Sequence, residues 1–381
     1  MTEFLNANDA EGAGYFPVGS IPVSEAGLTQ LNEVMRKDPR SLSHWLHGLH
    51  DGVEVGNFSE AVTTSNFPLL FGVLVQNDML AKYGISVADW RAYCATGTMP
   101  NFNIATKHKV YGQDDQLPEV AQKGEYLVNE SGTGHYHGQL KKYGRQFDIS
   151  WEAIINDAMG AFDDIAARFA NAVIRTEARH VTQLISDGTG PHVGLFGLPI
   201  TDVDGQAVTN QGVLPLTIGN LETTMALMAA QTDPNGEPIA VRGVHLVVPT
   251  TLEYTARAIL TSALMLSTAA APIPATNIVP QLGLNLHVDP YLMVVDTAAT
   301  NDTTWYLFAE PSQGKAIEMD YLSGRQAPEI CMKASDKVAI GGGPMDPFSG
   351  DFATDNVFYR VRCVHGGWRL DPRYCYAQVG P

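Results

Sequence analysis

The chain has 381 residues, 45% of them hydrophobic and 17% charged, a balance that excludes a disordered polymer and leaves room for one large core or two sub-domains. Its 41 acidic against 24 basic residues give a formal net charge of -17, which excludes a tight, sequence-independent embrace of nucleic acid, because such binding neutralises phosphates with Lys and Arg. An acidic wall around nucleic acid stays open, since it would repel rather than grip.

Cys94, Cys331, Cys363 and Cys375 are scattered with no close pair, so neither a disulfide framework nor a structural zinc site is indicated, and a reduced, cytosolic site of assembly is expected. Residues 1–20 lack a basic start and an apolar run, and no stretch has the uninterrupted apolar length that spans a bilayer. The chain reads as soluble, neither secreted nor membrane-inserted.

Residues 1–60 are Gly-rich and polar, with short helical pieces over 24–36 and 42–49, and predict an extended arm that packs on something else. Residues 66–83 predict a buried helix ending near Gly84, followed by Trp90 and an irregular stretch to Asn103. From Lys109 to Ile149 the chain is rich in Gly and Tyr. A turn at Gly132-Thr133-Gly134, with Tyr126 and Val128 before it and Tyr136, Leu140, Tyr143 and Phe147 after it, predicts a long β-hairpin. Its charge is mixed (Lys123, Glu125, Glu130, Lys141, Lys142, Arg145), and an isolated two-stranded hairpin is marginal in water, so it needs a partner surface.

The strongest periodicity lies between Ser150 and Asp187. Trp151, Ile154, Ile155, Ala158, Phe162, Ile165, Phe169, Val173, Ile174, Val181, Leu184 and Ile185 fall at the three-and-four spacing of one helical face. Ser150 is the candidate cap, Glu152 suits the first turn, and Gly188, Gly190 and Pro191 end the pattern. Unbroken, such a helix would be roughly 55 Å long, a rod suited to a thin plate. Further on, residues 245–250 predict a strand, 251–266 a helix and 287–296 a strand. Residues 305–311, 315–322 and 356–378 predict period-2 strands, the last after a Gly/Pro/Asp-rich loop over 341–355.

Several patterns invite chemistry. His135 and His137, two apart on a strand, share a face and are a candidate metal pair; no third ligand is near, and exposed histidines at a hairpin tip, able to tune inter-subunit contacts with pH, are preferred. His44, His47 and His50 lie along one side of a helix among Trp45, Leu46 and Leu49, as in a partly buried arm. His365-Gly366-Gly367-Trp368 suggests an esterase oxyanion segment, but no nucleophile elbow accompanies it, and a tight turn between strands is simpler. Gly341-Gly342-Gly343-Pro344 lacks the Lys and Ser/Thr of a phosphate loop and reads as a flexible loop. Arg168, Arg175 and Arg179 lie on the polar side of the long helix, as a solvated face pairing with Asp163, Asp164 and Glu177 or as a contact with neighbouring subunits. No catalytic set, cofactor motif or metal site emerges.

The order of elements, with GLFGLPI at 194–200, HLVVPTTLEYTARAIL at 245–260, and the stretches 305–330 and 351–378, resembles the major capsid proteins of tailed bacteriophages with the Hong Kong 97-type fold, over roughly residues 60–380. The resemblance implies an α+β fold: an N-terminal arm (1–60), a first part of the peripheral domain (61–108), an E-loop hairpin (109–149), a spine helix (150–190), an axial domain (191–304), and peripheral strands returning to the axial domain (305–381). It implies self-assembly into pentamers and hexamers of an icosahedral shell that encloses double-stranded DNA without sequence-specific binding or membrane contact. Assembly residues would be Tyr126, Gly132, Gly134, Tyr136, Lys141 and Lys142 on the E-loop, and Arg168, Arg175 and Arg179 on the spine helix.

Portal and decoration proteins are further partners of that family. No long acidic helical segment opens the chain, so a scaffold would be a separate protein or unnecessary. Lys123, Lys141 and Lys142 are available for cross-linking, yet no motif marks one, and cross-linking is not predicted. An encapsulin-type nanocompartment is the alternative within this fold; an α+β enzyme and a monomeric binding protein are the alternatives outside it.

Overall fold

The computed structural model describes residues 76–77, 79–84, 89–111, 119–120, 122–124, 126, 131–150, 160–266, 274–342 and 350–381. The arm with its short helices, His44, His47 and His50, and the start of the first helix lie outside the described residues. Helix α1 includes residues 76–77 and 79–84. A 3-10 turn, Asp89–Ala92, leads to β1 (Ala95–Met99), β2 (Ala105–Tyr111), β3 (Gly132–Gly138) and β4 (Lys141–Ser150). Helix α2 (Gly160–Ile185) is followed by the short strands β5 (Ser186–Asp187), β6 (Gly190–Pro191), β7 (Ile200–Thr201), β8 (Ala207–Val208) and β9 (Gln211–Gly212). Then come α3 (Ile218–Ala229), β10 (Gly243–Val248), α4 (Glu253–Thr261), β11 (Leu264–Leu266), β12 (Pro274–Thr276), β13 (Asn285–Val288) and α5 (Leu292–Val295). The chain closes with β14 (Trp305–Ala309), β15 (Ile317–Leu322), β16 (Glu329–Met332), β17 (Asn356–Arg369) and β18 (Cys375–Gln378). Helices and sheets mix along the chain, the α+β architecture that the sequence predicts.

These elements fall into two compact units. The first gathers α1 with Lys142–Arg175 and Ser323–Val364. Here β16 runs antiparallel to β17, and β4 also pairs with β17. Phe169, Ala170 and Val173 of α2 meet Met79, Val357, Tyr359, Val361 and Cys363 in one apolar cluster, with Phe147 stacked 5.1 Å from Tyr359. Buried Gln76 fixes α1 to β16, donating to the Pro328 carbonyl at 2.9 Å and accepting from the Ile330 N–H at 2.6 Å.

The second unit gathers Ala88–Lys141, Thr176–Leu322 and His365–Pro381. Its main sheet has the order β13-β10-β14-β18-β9, parallel at both edges and antiparallel between. All residues of β14 are buried because the sheet is covered on both faces. Tyr306 and Phe308 face one cluster with Val181, Leu184 and Ile185 of α2; Trp305, Leu307 and Ala309 face another with Leu221, Met228, Ala256 and Ile259. A second ladder pairs β1 parallel to β15 and β15 antiparallel to residues 365–369 of β17.

The structure departs from the sequence-based expectations at several points. Gly132, Thr133 and Gly134 form no turn: they are part of β3, paired with Tyr111, Val110 and Lys109. The glycines are there for space, since a Cβ on Gly134 would come within 2.5 Å of Val203 and one on Gly138 within 2.5 Å of the Trp368 ring. Ser150 is the last residue of β4, the stretch 151–159 lies outside the described residues, and the helix is described from Gly160 to Ile185, 26 residues or ~39 Å. The helix predicted over 251–266 ends at Thr261, where Asn277 donates to the carbonyls of Ile259 and Ser262 at 2.8 and 2.9 Å and Leu264–Leu266 pairs with β12. The strand predicted over 287–296 stops at Val288, because Pro290 cannot extend the ladder, and Leu292–Val295 is helical. His365-Gly366-Gly367-Trp368 is no turn either: it lies within β17 opposite Tyr321 to Glu318, and the bare Gly366 lets Leu140 approach.

Candidate functional site

Strand β2 alternates lysines with exposed residues, and the ribbon it forms with β3 has two unlike faces. Thr106, His108 and Val110 on β2 and Thr133, His135 and His137 on β3 are exposed. Lys107 and Lys109 point the other way, each into a carboxylate socket of the second unit.

Lys107 Nζ lies 2.6 Å from Glu318 Oε2, 3.0 Å from Asp320 Oδ2 and 4.4 Å from the centre of the Trp368 ring. Glu318 also meets Lys315 at 3.1 Å, and Trp368 Nε1 donates to Asp320 at 2.8 Å. The second socket is deeper. Lys109 Nζ lies 2.7 Å from Asp202, 3.2 Å from Asp204 and 2.5 Å from Asp371, and Arg373, 3% exposed, reaches the same three carboxylates at 2.9, 2.9 and 3.3 Å. Tyr136 donates its O–H to Asp202 at 2.9 Å. The β7–β8 connection presents Asp202 and Asp204, its turn closed by Gly205 at a φ of 81° and by Asp204 accepting from the Gln206 N–H at 3.0 Å.

Electrostatics keeps both cations charged. Burial alone would lower Lys109, but Asp371 and Asp202 hold it above the usual lysine value. Arg373 is likewise raised by Asp204 and Asp371 against its burial. Burial opposes ionisation of Asp204, yet the Arg373 hydrogen bond pulls it below the carboxylate range. Burial and the neighbouring Asp371 and Asp202 push the Tyr136 phenol far up, so it stays a donor.

A different buried pair lies at α2. His180 Nδ1 and His365 Nδ1 are 2.9 Å apart, one donating and the other accepting. Burial, with Lys141 and Arg369, lowers His180 to about 4; burial and His180 lower His365 to about 3.

Among the residues singled out from sequence, Gly132, Gly134 and Tyr136 share the inward face of β3. Lys141 and Lys142 open β4 and are exposed, and Tyr126 is 81% exposed in the segment between β3 and β2. Arg168, Arg175 and Arg179 are exposed along α2. His135 stands in mid-strand, not at a tip, its ring edge-on to His108 at 4.7 Å, while His137 Nδ1 lies 3.3 Å from Thr106 Oγ1. Among the described residues no His/Cys/Asp/Glu group is arranged for a metal ion, and no helix is long and apolar enough to cross a membrane.

Sequence reasoning missed the sockets. Their signal was present as matched spacing: Lys107 and Lys109 are two apart, as are Asp202 and Asp204, and Glu318 and Asp320.

A family model described as "Phage capsid protein" matches residues 137–378. No curated protein matches the chain. Among solved structures, a Mycobacterium phage Patience chain is similar at 11% identity, covering 86% of this chain and 91% of that one with a TM-score of 0.47. A Gordonia phage Cozz chain is similar at 13% identity, with coverage of 76% and 84% and a TM-score of 0.46. A virus-like particle from Pyrococcus furiosus is similar at 9% identity, with coverage of 81% and 99% and a TM-score of 0.40.

Proposed function

This chain belongs to the phage capsid protein family, and from that premise we propose that it is the major head protein, with the arm, E-loop, spine helix, peripheral and axial domains of the Hong Kong 97-type fold. Its role is structural and its place is the virion capsid. Copies assemble in the host cytoplasm into pentamers and hexamers through residues 191–304, and the E-loop, residues 109–149, offers the exposed face of its β2–β3 ribbon to the adjacent subunit. Many modest interfaces then hold the shell by multivalency. A net charge of -17 keeps enclosed double-stranded DNA from sticking to the wall. Portal and decoration proteins, and a separate scaffold where one is needed, are its candidate partners.

The observation that supports this reading is the two-faced ribbon. One face of β2–β3 is held to its own subunit by charge-assisted bonds, while the other is exposed over its paired length. A two-stranded ribbon gains stability by covering that second face. Tyr126, Lys141 and Lys142, with Arg168, Arg175 and Arg179, are further contact points in the proposal.

Electron microscopy and light scattering of the purified chain test it. Closed shells or capsomer rings support the assignment. A variant with residues 112–131 replaced by a short Gly/Ser linker, keeping β2 and β3, should fold and fail to close shells; normal shells from it would overturn the E-loop assignment.

A further inference from the structure

A chain of hydrogen bonds crosses the main sheet of the second unit. His245 on β10 and His287 on the neighbouring strand β13 place Nδ1 and Nε2 2.9 Å apart. His245 Nε2 lies 2.9 Å from Glu310 Oε2, just past β14, and His287 Nδ1 lies 2.9 Å from Asp89 Oδ1, at the start of the 3-10 turn. The imidazole side chains are 3% and 8% exposed, whereas Glu310 and Asp89 are 49% and 64% exposed. The chain therefore begins and ends at water and is dry in the middle.

Three hydrogen bonds need three protons, and two neutral imidazoles carry only two. If both rings donate outward to the carboxylates, two lone pairs face each other at 2.9 Å. If one ring donates inward, a carboxylate loses its donor. A third proton closes the chain wherever it resides, as an imidazolium or as a carboxylic acid. A fourth would set two imidazoliums in contact. We propose that His245 and His287 form a buried proton-binding site that takes up one shared proton between Glu310 and Asp89 and admits no second.

The surroundings favour a single positive charge. Besides Glu310 and Asp89, the Tyr93 ring lies against the pair, 5.4 Å from His287, its phenol held neutral by burial and by Asp289, whose own carboxylate is taken up by Thr182 and the Tyr291 N–H. Burial, with the neighbouring His287, drives His245 below the ordinary imidazole range against the pull of Glu310 and Asp89, so the third proton enters on acidification. Loading it ties Asp89–Ala92 to β13. That turn leads through β1 into β2, so proton uptake firms the segment that carries the hairpin.

The test is an NMR titration of the full chain labelled at histidine, from about pH 8 to about pH 4. The two rings should respond together in one step worth one proton. Glu310→Gln and Asp89→Asn, at the exposed ends where folding is safe, should each lower that midpoint by about one pH unit. His287→Gln should abolish the shared step and leave His245 to titrate alone. Independent steps, rings that stay neutral throughout, or a midpoint indifferent to both carboxylate variants would overturn the proposal. The titration reads protons whether or not shells form, so its failure would leave the capsid assignment standing, and failed assembly would leave this site standing.

Discussion

The hairpin root and the His180–His365 pair are both buried titratable clusters, yet one is built to hold charge and the other to exclude it. At the root, Asp202, Asp204 and Asp371 surround Lys109 and Arg373, and each cation is raised above its usual value despite burial. At His180 the charged neighbours are Lys141 and Arg369, so burial and repulsion act in the same direction and the rings stay neutral. The His245–His287 pair makes the same ring-to-ring contact as His180–His365 but ends in two carboxylates. Burial alone does not decide ionisation; the sign of the neighbours does.

Breaking the root should have the largest effect. Arg373→Met keeps volume but strands Asp202 and Asp204, whose side chains are 2% and 0% exposed. Leaving buried charge uncompensated costs roughly 3–5 kcal/mol, read as a lower midpoint in urea unfolding at pH near 7. A loss below about 1 kcal/mol would mean that Lys109 alone neutralises the cluster.

Acid should expose the opposite region next. The folded values of about 4 for His180 and about 3 for His365 lie below that of a free imidazole, so the unfolded chain binds protons first. Stability is full above about pH 6.5 and falls on the order of 3 kcal/mol for each ring as pH drops toward 4. His365→Asn should flatten that slope. Asp204, whose folded value is depressed, contributes stability present above about pH 4 and lost only below it, so it adds nothing to the slope in this window. An unchanged slope in the His365 variant would assign the acid loss elsewhere.

The sequence made the regular elements with one-sided burial legible and concealed those shaped by long-range contact. Phe169, Val173, Val181 and Leu184 announce α2 through their spacing, because one helical stripe meets the two cores. Strand β14 was legible as an apolar run buried on both faces. The hairpin was legible in kind and misread in register: Gly132 and Gly134 carry the composition of a turn, but they serve close approach to Tyr111 and Val203, which only the folded chain reveals. Strand β1, ATGTM, has no alternation to find, since it is placed by pairing with β15 some 220 residues away. The sockets were hidden for the same reason: Lys109 lies 93 residues from Asp202 and 262 from Asp371 in sequence.

Lys107 is the milder counterpart of Arg373 and should have a smaller effect. Lys107→Met leaves Lys315 on Glu318 and the Trp368 N–H on Asp320, so part of the charge stays matched. A loss of about 2 kcal/mol in urea unfolding is expected, and a loss equal to that of Arg373→Met would show that the two sockets act as one.

The smallest effect on folding belongs to Arg175 and Arg179, exposed on α2 and part of neither cluster. Replacing both with Ala should change unfolding free energy by less than about 0.5 kcal/mol. Their proposed work is done between copies, so light scattering should show fewer assembled particles at equal subunit concentration even though the subunit unfolds as before. That pairing of results separates an assembly contact from a solvated helix face, because solvation predicts no change in either measurement. A stability loss well above that bound would instead tie the two arginines to their own subunit, alongside the root whose charges must be matched to fold.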